Sequence, residues 1–289
     1  KKKSLLSIFN NILINQDFIK ISNNISEDLI NTLIKNIYIN DEKIINDKYF
    51  AIVKVNFNKK KIIEFLRLNK IPYVEYHPDN FLLIIYEINN INKNLFTKNN
   101  NHYNYFNNNF KKKNIFQIPN LDINDRFILL DDHILNRDYD KINSFSKKYN
   151  SNETLIVISQ TNQNFVNYEL ILNSDGGIAE KKLKYNMNEI DLFFQELENE
   201  TLNLWKNLNF IQNKKRNFIN CKINYFNLIE LKEIRKNLKK VSVINDLNIK
   251  ALSYKDIEYE IYYYGNLKLL FKIFKLNNLK INYDKNKCV

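Results

Sequence analysis

A chain of 289 residues with 44% hydrophobic and 26% charged residues has the composition of a folded protein too long for one small core, and two or three domains are expected. Three glycines exclude the glycine-rich phosphate loops of nucleotide enzymes, and two cysteines exclude a disulfide scaffold. The formal charge of +12 comes from 44 Lys and Arg against 32 Asp and Glu, yet only Arg67, Arg126, Arg137, Arg216 and Arg235 are arginine, so a reader of nucleic-acid bases with clustered arginines is disfavoured.

The first nine residues place three lysines before an apolar run, but Asn10, Asn11 and Asn15 interrupt it, and an amphipathic helix over residues 5–13 is expected rather than a leader. Ser26 followed by Glu27 and Asp28 predicts a capped helix that buries Leu29, Ile30, Leu33 and Ile34. A strand over 37–45 then turns at Asn46-Asp47. In the next strand Tyr49, Ala51, Val53, Val55 and Phe57 recur every second residue. Ile62, Ile63 and Leu66 then take helical spacing, a strand over 73–76 closes this organising unit, and a further strand spans 81–88. Residues 1–92 therefore read as a ferredoxin-like, split β-α-β unit whose opening strand is expected upstream of Lys1.

Residues 89–114 are rich in asparagine, with Tyr103, Tyr105, Phe106 and Phe110 interspersed, and read as a long surface loop or junction. The middle unit, residues 93–212, continues through an acidic stretch, a helix over 139–149, an apolar strand over 154–159 and a strand over 165–172. Asp175-Gly176-Gly177 marks a hairpin. A long helix follows, with Ile190, Phe193, Phe194, Leu197, Thr201, Leu204, Trp205, Leu208 and Ile211 on one face, and it is expected to dock two domains with Trp205 as anchor. Residues 213–289 read as a complete β-α-β-β-α-β unit, with strands over 217–223, 241–249, 257–264 and 279–283. The fold class expected is thus α+β: three small α/β units in tandem, the first and last ferredoxin-like and the middle one a mixed sheet with a docking helix.

Candidate chemistry is sparse. Asp122, Asp125, Asp131, Asp132, His133, Asp138 and Asp140 form the one carboxylate and histidine cluster, but it lacks a calcium-loop spacing and reads as helix caps and a solvated connection. A metal-dependent hydrolase using residues 122–140 is the weakest of the alternatives. His77 and His102 fall in predicted loops with no nucleophile motif, and Glu258 and Glu260 read as the solvent side of a strand. Cys221 and Cys288 are expected as free thiols. No catalytic, cofactor or metal site is expected. The candidate site is an exposed sheet edge at residues 254–264, where Tyr259 and Tyr263 would receive a partner by strand addition.

Four segments carry a family resemblance. They are Asp41-Glu42-Lys43 with residues 49–57; Ile71-Pro72-Tyr73 after the helix; residues 198–206, ending in Leu204-Trp205-Lys206; and residues 234–238 with Tyr263-Tyr264-Gly265 and Leu270. On these the chain resembles the proteobacterial domain-of-unknown-function family numbered two thousand and sixty-six. The resemblance implies an exported envelope protein of about three α/β units with a signal peptide in its precursor; it brings no activity and no catalytic residues. Lys and Asn here replace much of the Arg, Ala and Gly usual in that family. The middle unit is also similar in topology to the small α/β module at the N-terminus of the propeller protein of the periplasmic Tol system, and topology does not fix function.

The expectation is a non-enzymatic scaffold, periplasmic or envelope-associated, that binds a protein or envelope component. The alternative is a basic cytoplasmic protein that binds nucleic acid in a salt-sensitive way. No stretch reaches the roughly 18 to 20 apolar residues of a membrane span, so none is expected.

Overall fold

In a computed structural model, the chain is described at all residues except 79, 90–91, 98–99, 110–114, 214–215, 278, 280–282, 285–286 and 289. It is a mixed α+β protein that divides into two compact units, not three in tandem: unit 1 comprises Lys1–Tyr76 with Phe210–Val289, and unit 2 comprises His77–Asn209. The boundaries expected near residues 92 and 212 differ because strand 81–89 pairs inside unit 2 and both ends of the chain build unit 1. The lysine run at 111–113, Lys214, Lys215 and Phe110 lie outside the described residues.

Unit 1 opens with three helices, α1 (Lys2–Ile12), α2 (Asn15–Asn24) and α3 (Glu27–Leu33). Leu5 and Phe9 of α1 are fully buried, as their helical spacing predicts. The Ser26 hydroxyl caps α3 by accepting from Leu29 N at 3.2 Å. Strands β1 (Ile34–Ile45) and β2 (Lys48–Phe57) then form an antiparallel hairpin that makes a sheet of its own. Asn46 and Asp47 at its turn both take positive φ, which matches the right-handed twist of the flanking strands. Asn58 caps α4 (Lys59–Leu68), whose Ile62, Ile63 and Leu66 enter the core. The strand expected over 73–76 is reduced to a single antiparallel bridge between Tyr73 and Ile211.

Unit 2 is built on β3 (Phe81–Asn89), which is buried on both faces from Phe81 through Glu87 and reads as an unbroken apolar run for that reason. Next come β4 (Asn92–Asn94), α5 (Asn101–Asn109), β5 (Phe116–Gln117), α6 (Ile123–Ile128), α7 (Asp131–Leu135), α8 (Tyr139–Lys148), β6 (Glu153–Thr161), β7 (Phe165–Ser174), β8 (Gly177–Asn186) and α9 (Ile190–Asn209). The sheet order is β4-β3-β6-β7-β8, with β5 also on β3, and β3 runs parallel to β6 while β6, β7 and β8 are antiparallel. One face packs Leu82, Ile84, Ile156 and Ile171 against Leu129, Ile134 and Phe145. Helix α9 packs on β7 and β8 of the same unit and buries Phe193, Phe194, Leu197 and Trp205. The free edge strand β8 carries Lys181, Lys182 and Lys184, charges that discourage pairing with another sheet.

The chain returns to unit 1 through β9 (Arg216–Asn224), α10 (Leu228–Lys240), β10 (Ile244–Leu252), β11 (Asp256–Tyr264), α11 (Leu267–Leu276), β12 (Tyr283–Asp284) and β13 (Lys287–Cys288). The sheet order is β10-β11-β9-β13-β12, so β11 is inserted between β9 and β10 and pairs antiparallel with both. The β-α-β-β-α order expected for this segment is present, but the closing strand differs: β13 lies parallel beside β9, and residues 280–282 of the expected strand lie outside the described residues. Its core joins the two ends of the chain, with Phe9, Leu66 and Tyr73 in one cluster with Ile219, Ile261 and Phe274.

Candidate interaction surfaces

The strand expected to be an exposed edge is an interior strand of its sheet, which corrects the candidate site. Tyr259 and Tyr263 of β11 are 1% and 5% exposed and point into the core with Ile257 and Ile261. The alternation Ile, Tyr, Ile, Tyr places all four on one face, and β9 and β10 occupy both flanks. The outer edge of this sheet is β10, which exposes Ile249 and Leu252.

The strongest surface feature of this sheet lies at the end where β9 leaves and β11 begins. Register pairs Asn224 with Asp256 and Leu252 with Ile257, so the turn before α10 and the turn between β10 and β11 emerge side by side. Tyr225 locks them together: its N–H donates to Lys255 O at 3.0 Å and its hydroxyl donates to Ser253 O at 2.7 Å. From these two turns project Phe226 (96% exposed), Leu228, Ile229, Leu252 and Tyr254 (91% exposed). A soluble surface scatters such residues singly, whereas here five exposed apolar side chains stand on or beside two bonded turns.

A second exposed apolar region is the β1–β2 hairpin. Ile37, Ile39, Ile44, Tyr49 and Val53 are all exposed, although sequence periodicity places them on what should be a core face. At its base an open groove of about 550 Å³ is lined by Ile8, Ile12, Val55, Phe57, Ile62 and Tyr73, with Lys35, Lys59 and Glu75 also lining it.

The acidic segment is occupied by structural work. Asp122 caps α6, Asp138 caps α8, and the His133 ring accepts from Leu130 N at 3.1 Å. Asp125 is fully buried and accepts from Lys148 Nζ at 2.7 Å, from the Tyr149 hydroxyl at 2.7 Å and from Leu121 N at 3.0 Å. Tyr86 donates to Asp131 at 3.3 Å, and among the described residues no three His, Cys, Asp or Glu side chains gather where a metal ion could sit. The cap and ion-pair roles account for this segment and weigh against a hydrolase centred on it. Glu258 pairs with Lys250 at 3.8 Å, and Glu260 accepts from the Tyr262 hydroxyl at 2.8 Å.

One polar cluster escaped the sequence reading. Helix α5 lies inside the stretch read as a loop and buries His102, Tyr103 and Phe106. His102 Nε2 meets the Tyr168 hydroxyl at 2.9 Å, and its Nδ1 lies 3.8 Å from Glu87 Oε2, too far for a hydrogen bond. Burial pushes the Glu87 carboxyl up, but the His102 ring and the Asn101 amide groups outweigh it and hold it below the usual carboxylate range. A tyrosine, histidine and glutamate stand in a row, and all three are 3% exposed or less. The cluster fastens α5 to β3 and β7. His77 stacks on Trp205 at 6.3 Å, and burial, with Lys206 nearby, lowers its pKa.

The cysteines also differ from expectation. Cys221 is disulfide-bonded, and no free cysteine occurs among the described residues. The backbone register sets Cys221 of β9 directly opposite Cys288 of β13, the chain's one other cysteine. Local sequence cannot reveal this pairing, which depends on the parallel return of the last strand.

No family model matches the chain, and no curated protein and no solved structure matches it. No helix among the described residues is long and apolar enough to cross a membrane.

Proposed function

We propose that this protein is a non-catalytic α+β scaffold of the bacterial envelope that docks another envelope protein through the apolar end of its five-stranded sheet. The observation that carries the reading is the projection of Phe226, Leu228, Ile229, Leu252 and Tyr254 from two turns tied by Tyr225. The exposed Phe226 and Tyr254 among them suit an interface, where aromatic residues are enriched. The disulfide at Cys221 supports an oxidising compartment, because thiols stay reduced in the cytosol. The resemblance to the exported envelope family points the same way. The nucleic-acid alternative loses support from four of the five arginines: Arg67 donates to Ser242 O and Tyr73, Arg126 to Phe96 O, Arg137 pairs with Glu169 and Arg216 with Asp246, which leaves these four engaged within the fold.

The test is a photo-crosslinking residue at position 254 of the full-length precursor in living cells, combined with fractionation and alkylation of free thiols. A discrete adduct at 254, absent when the probe sits at Lys182 on β8, together with an oxidised, exported protein, is the expected result. A reduced cytoplasmic protein would sink the envelope assignment, and an export-competent protein with no adduct at 254 would sink the docking surface.

A further inference from the structure

The β1–β2 hairpin has two unlike faces. Register puts Ile37 opposite Val55, Ile39 opposite Val53 and Ile44 opposite Tyr49, all on one side, with Ala51 between. The other side carries Lys43, Lys48 and Lys54 among its apolar residues. A bulge at Asp41 and Glu42, where Asp41 takes φ 53°, sets Glu42 beside the first face, and Tyr49 donates to it at 2.6 Å. An isolated two-stranded ribbon is marginal in water. This one is fixed only at its base, where Ile34 and Phe57 join the core and Asn58 N donates to Leu33 O at 2.8 Å.

We propose that two copies of the chain pair through this apolar face, related by a two-fold axis near the Ile39 and Val53 pair, so that the tip of each ribbon reaches the groove at the base of the other. Three observations select a second copy as the occupant. The exposed side chains on this face leave on the order of 600 Å² of apolar surface open, so self-packing covers about 1,200 Å², the size at which specific interfaces begin. An isologous contact needs complementarity along the ribbon, and a small charge difference supplies it: in the distal half Asp41, Glu42 and Asp47 outnumber Lys43 and Lys48, while Lys35, Lys59, Lys60 and Lys61 flank the base, where Lys59 pairs with Glu75 and Lys60 with Glu64. The axis lays one ribbon's acids over the other's lysines and brings Ile44 and Tyr49 to the groove lined by Ile12, Phe57 and Ile62. For a chain of charge +12, this face, which carries no lysine and has Glu42 beside it, is also where a second copy approaches with little repulsion.

The experiment is sedimentation of the full chain over a wide concentration range. The expected result is a mass twice 34.9 kDa. Ile44→Glu and Val53→Glu each raise the dissociation constant about a hundredfold or more, because a carboxylate then faces apolar surface. Ile52→Glu, on the opposite face, leaves the dimer intact, and all three variants keep the wild-type circular dichroism spectrum. Lys35→Glu, at an exposed lysine that lines the groove, weakens the dimer, and combining it with Glu42→Lys restores it. A monomer at every concentration would overturn the proposal, as would a dimer indifferent to Ile44→Glu and Val53→Glu or equally lost in Ile52→Glu. A monomer that instead binds phosphatidylglycerol vesicles through the same residues would assign the face to lipid and overturn it too.

Discussion

Replacing Asp125 by alanine removes the one fully buried carboxylate of the acidic segment, and the cost follows from what it holds. Asp125 accepts from an ammonium, a phenol and a backbone N–H, all within 3.0 Å, at the first turn of α6. Each bond to a charged acceptor contributes roughly 1.5 to 3 kcal/mol, but Lys148 is partly exposed and recovers water, so the whole loss is about 3 kcal/mol. For a unit of this size that lowers the midpoint of thermal unfolding by about 10 °C. Trp205, the only tryptophan and fully buried in α9, reports on unit 2 alone, so its fluorescence in urea gives the stability of that unit without interference from unit 1. The exposed neighbour Asp132, changed to alanine, shifts stability by less than about 0.5 kcal/mol. If Asp125→Ala cost no more than Asp132→Ala, the structural account of the segment would be refuted and a ligand-binding role for these carboxylates would reopen.

Burial lowers the Lys206 pKa from 10.5 to about 8, so between pH 8 and 10.5 the folded chain binds fewer protons than the unfolded one and stability rises with pH; below pH 8 the full penalty is present. Urea titrations followed by Trp205 fluorescence therefore show unit 2 gaining stability from pH 8 toward pH 10.5, and Lys206→Met removes that contribution to the slope. Reduction of the disulfide at Cys221, or Cys221→Ser, costs unit 1 about 2 to 5 kcal/mol, read by circular dichroism in urea with the Trp205 signal unchanged. Tyr259→Ser, which an edge strand would tolerate, destabilises unit 1 by about 3 kcal/mol through the cavity it opens, whereas Tyr262→Ser, on the opposite face of β11, costs under about 1 kcal/mol in the same assay.

Local chemistry was legible from residues alone. Ser26 as a cap, the Asn46-Asp47 turn, the Asp175-Gly176-Gly177 turn and the apolar stripe of α9 all depend on neighbours within a few positions, and each is found where its signal lies, except that α9 ends at Asn209 and Ile211, read as part of its stripe, bridges Tyr73 in unit 1. Pairing across the chain was not legible. The period of β11 shows that Tyr259 and Tyr263 share a face but not that β9 and β10 flank it, and the period of β2 is that of a half-buried strand although no second layer covers it. Helix α5 hid behind asparagine, a poor helix former, even though Asn100 caps it by accepting from Tyr103 N at 3.0 Å and His102 and Phe106 sit four residues apart. The register of β13 beside β9, which sets residue 288 opposite residue 221, spans a distance that no local motif covers.

The insertion of unit 2 within unit 1 sets the order in which the chain is able to become native. Unit 2 is complete once residue 209 has been made, while α1 to α4 and the hairpin wait for residues 210–289 to supply the strands and helices that share their core. During synthesis the N-terminal helices must therefore stay unpaired behind an already folded neighbour, and their apolar faces are the part of the molecule most in need of a holding chaperone. The antiparallel bridge of Tyr73 with Ile211, with Ile211 N donating to Tyr73 O at 2.8 Å, brings the two chain crossings to adjacent positions, so unit 2 occupies the place of a single long loop in the fold of unit 1. Closing that loop is a late, entropically costly step, and it makes the last-made third of the chain the trigger for the maturation of the first.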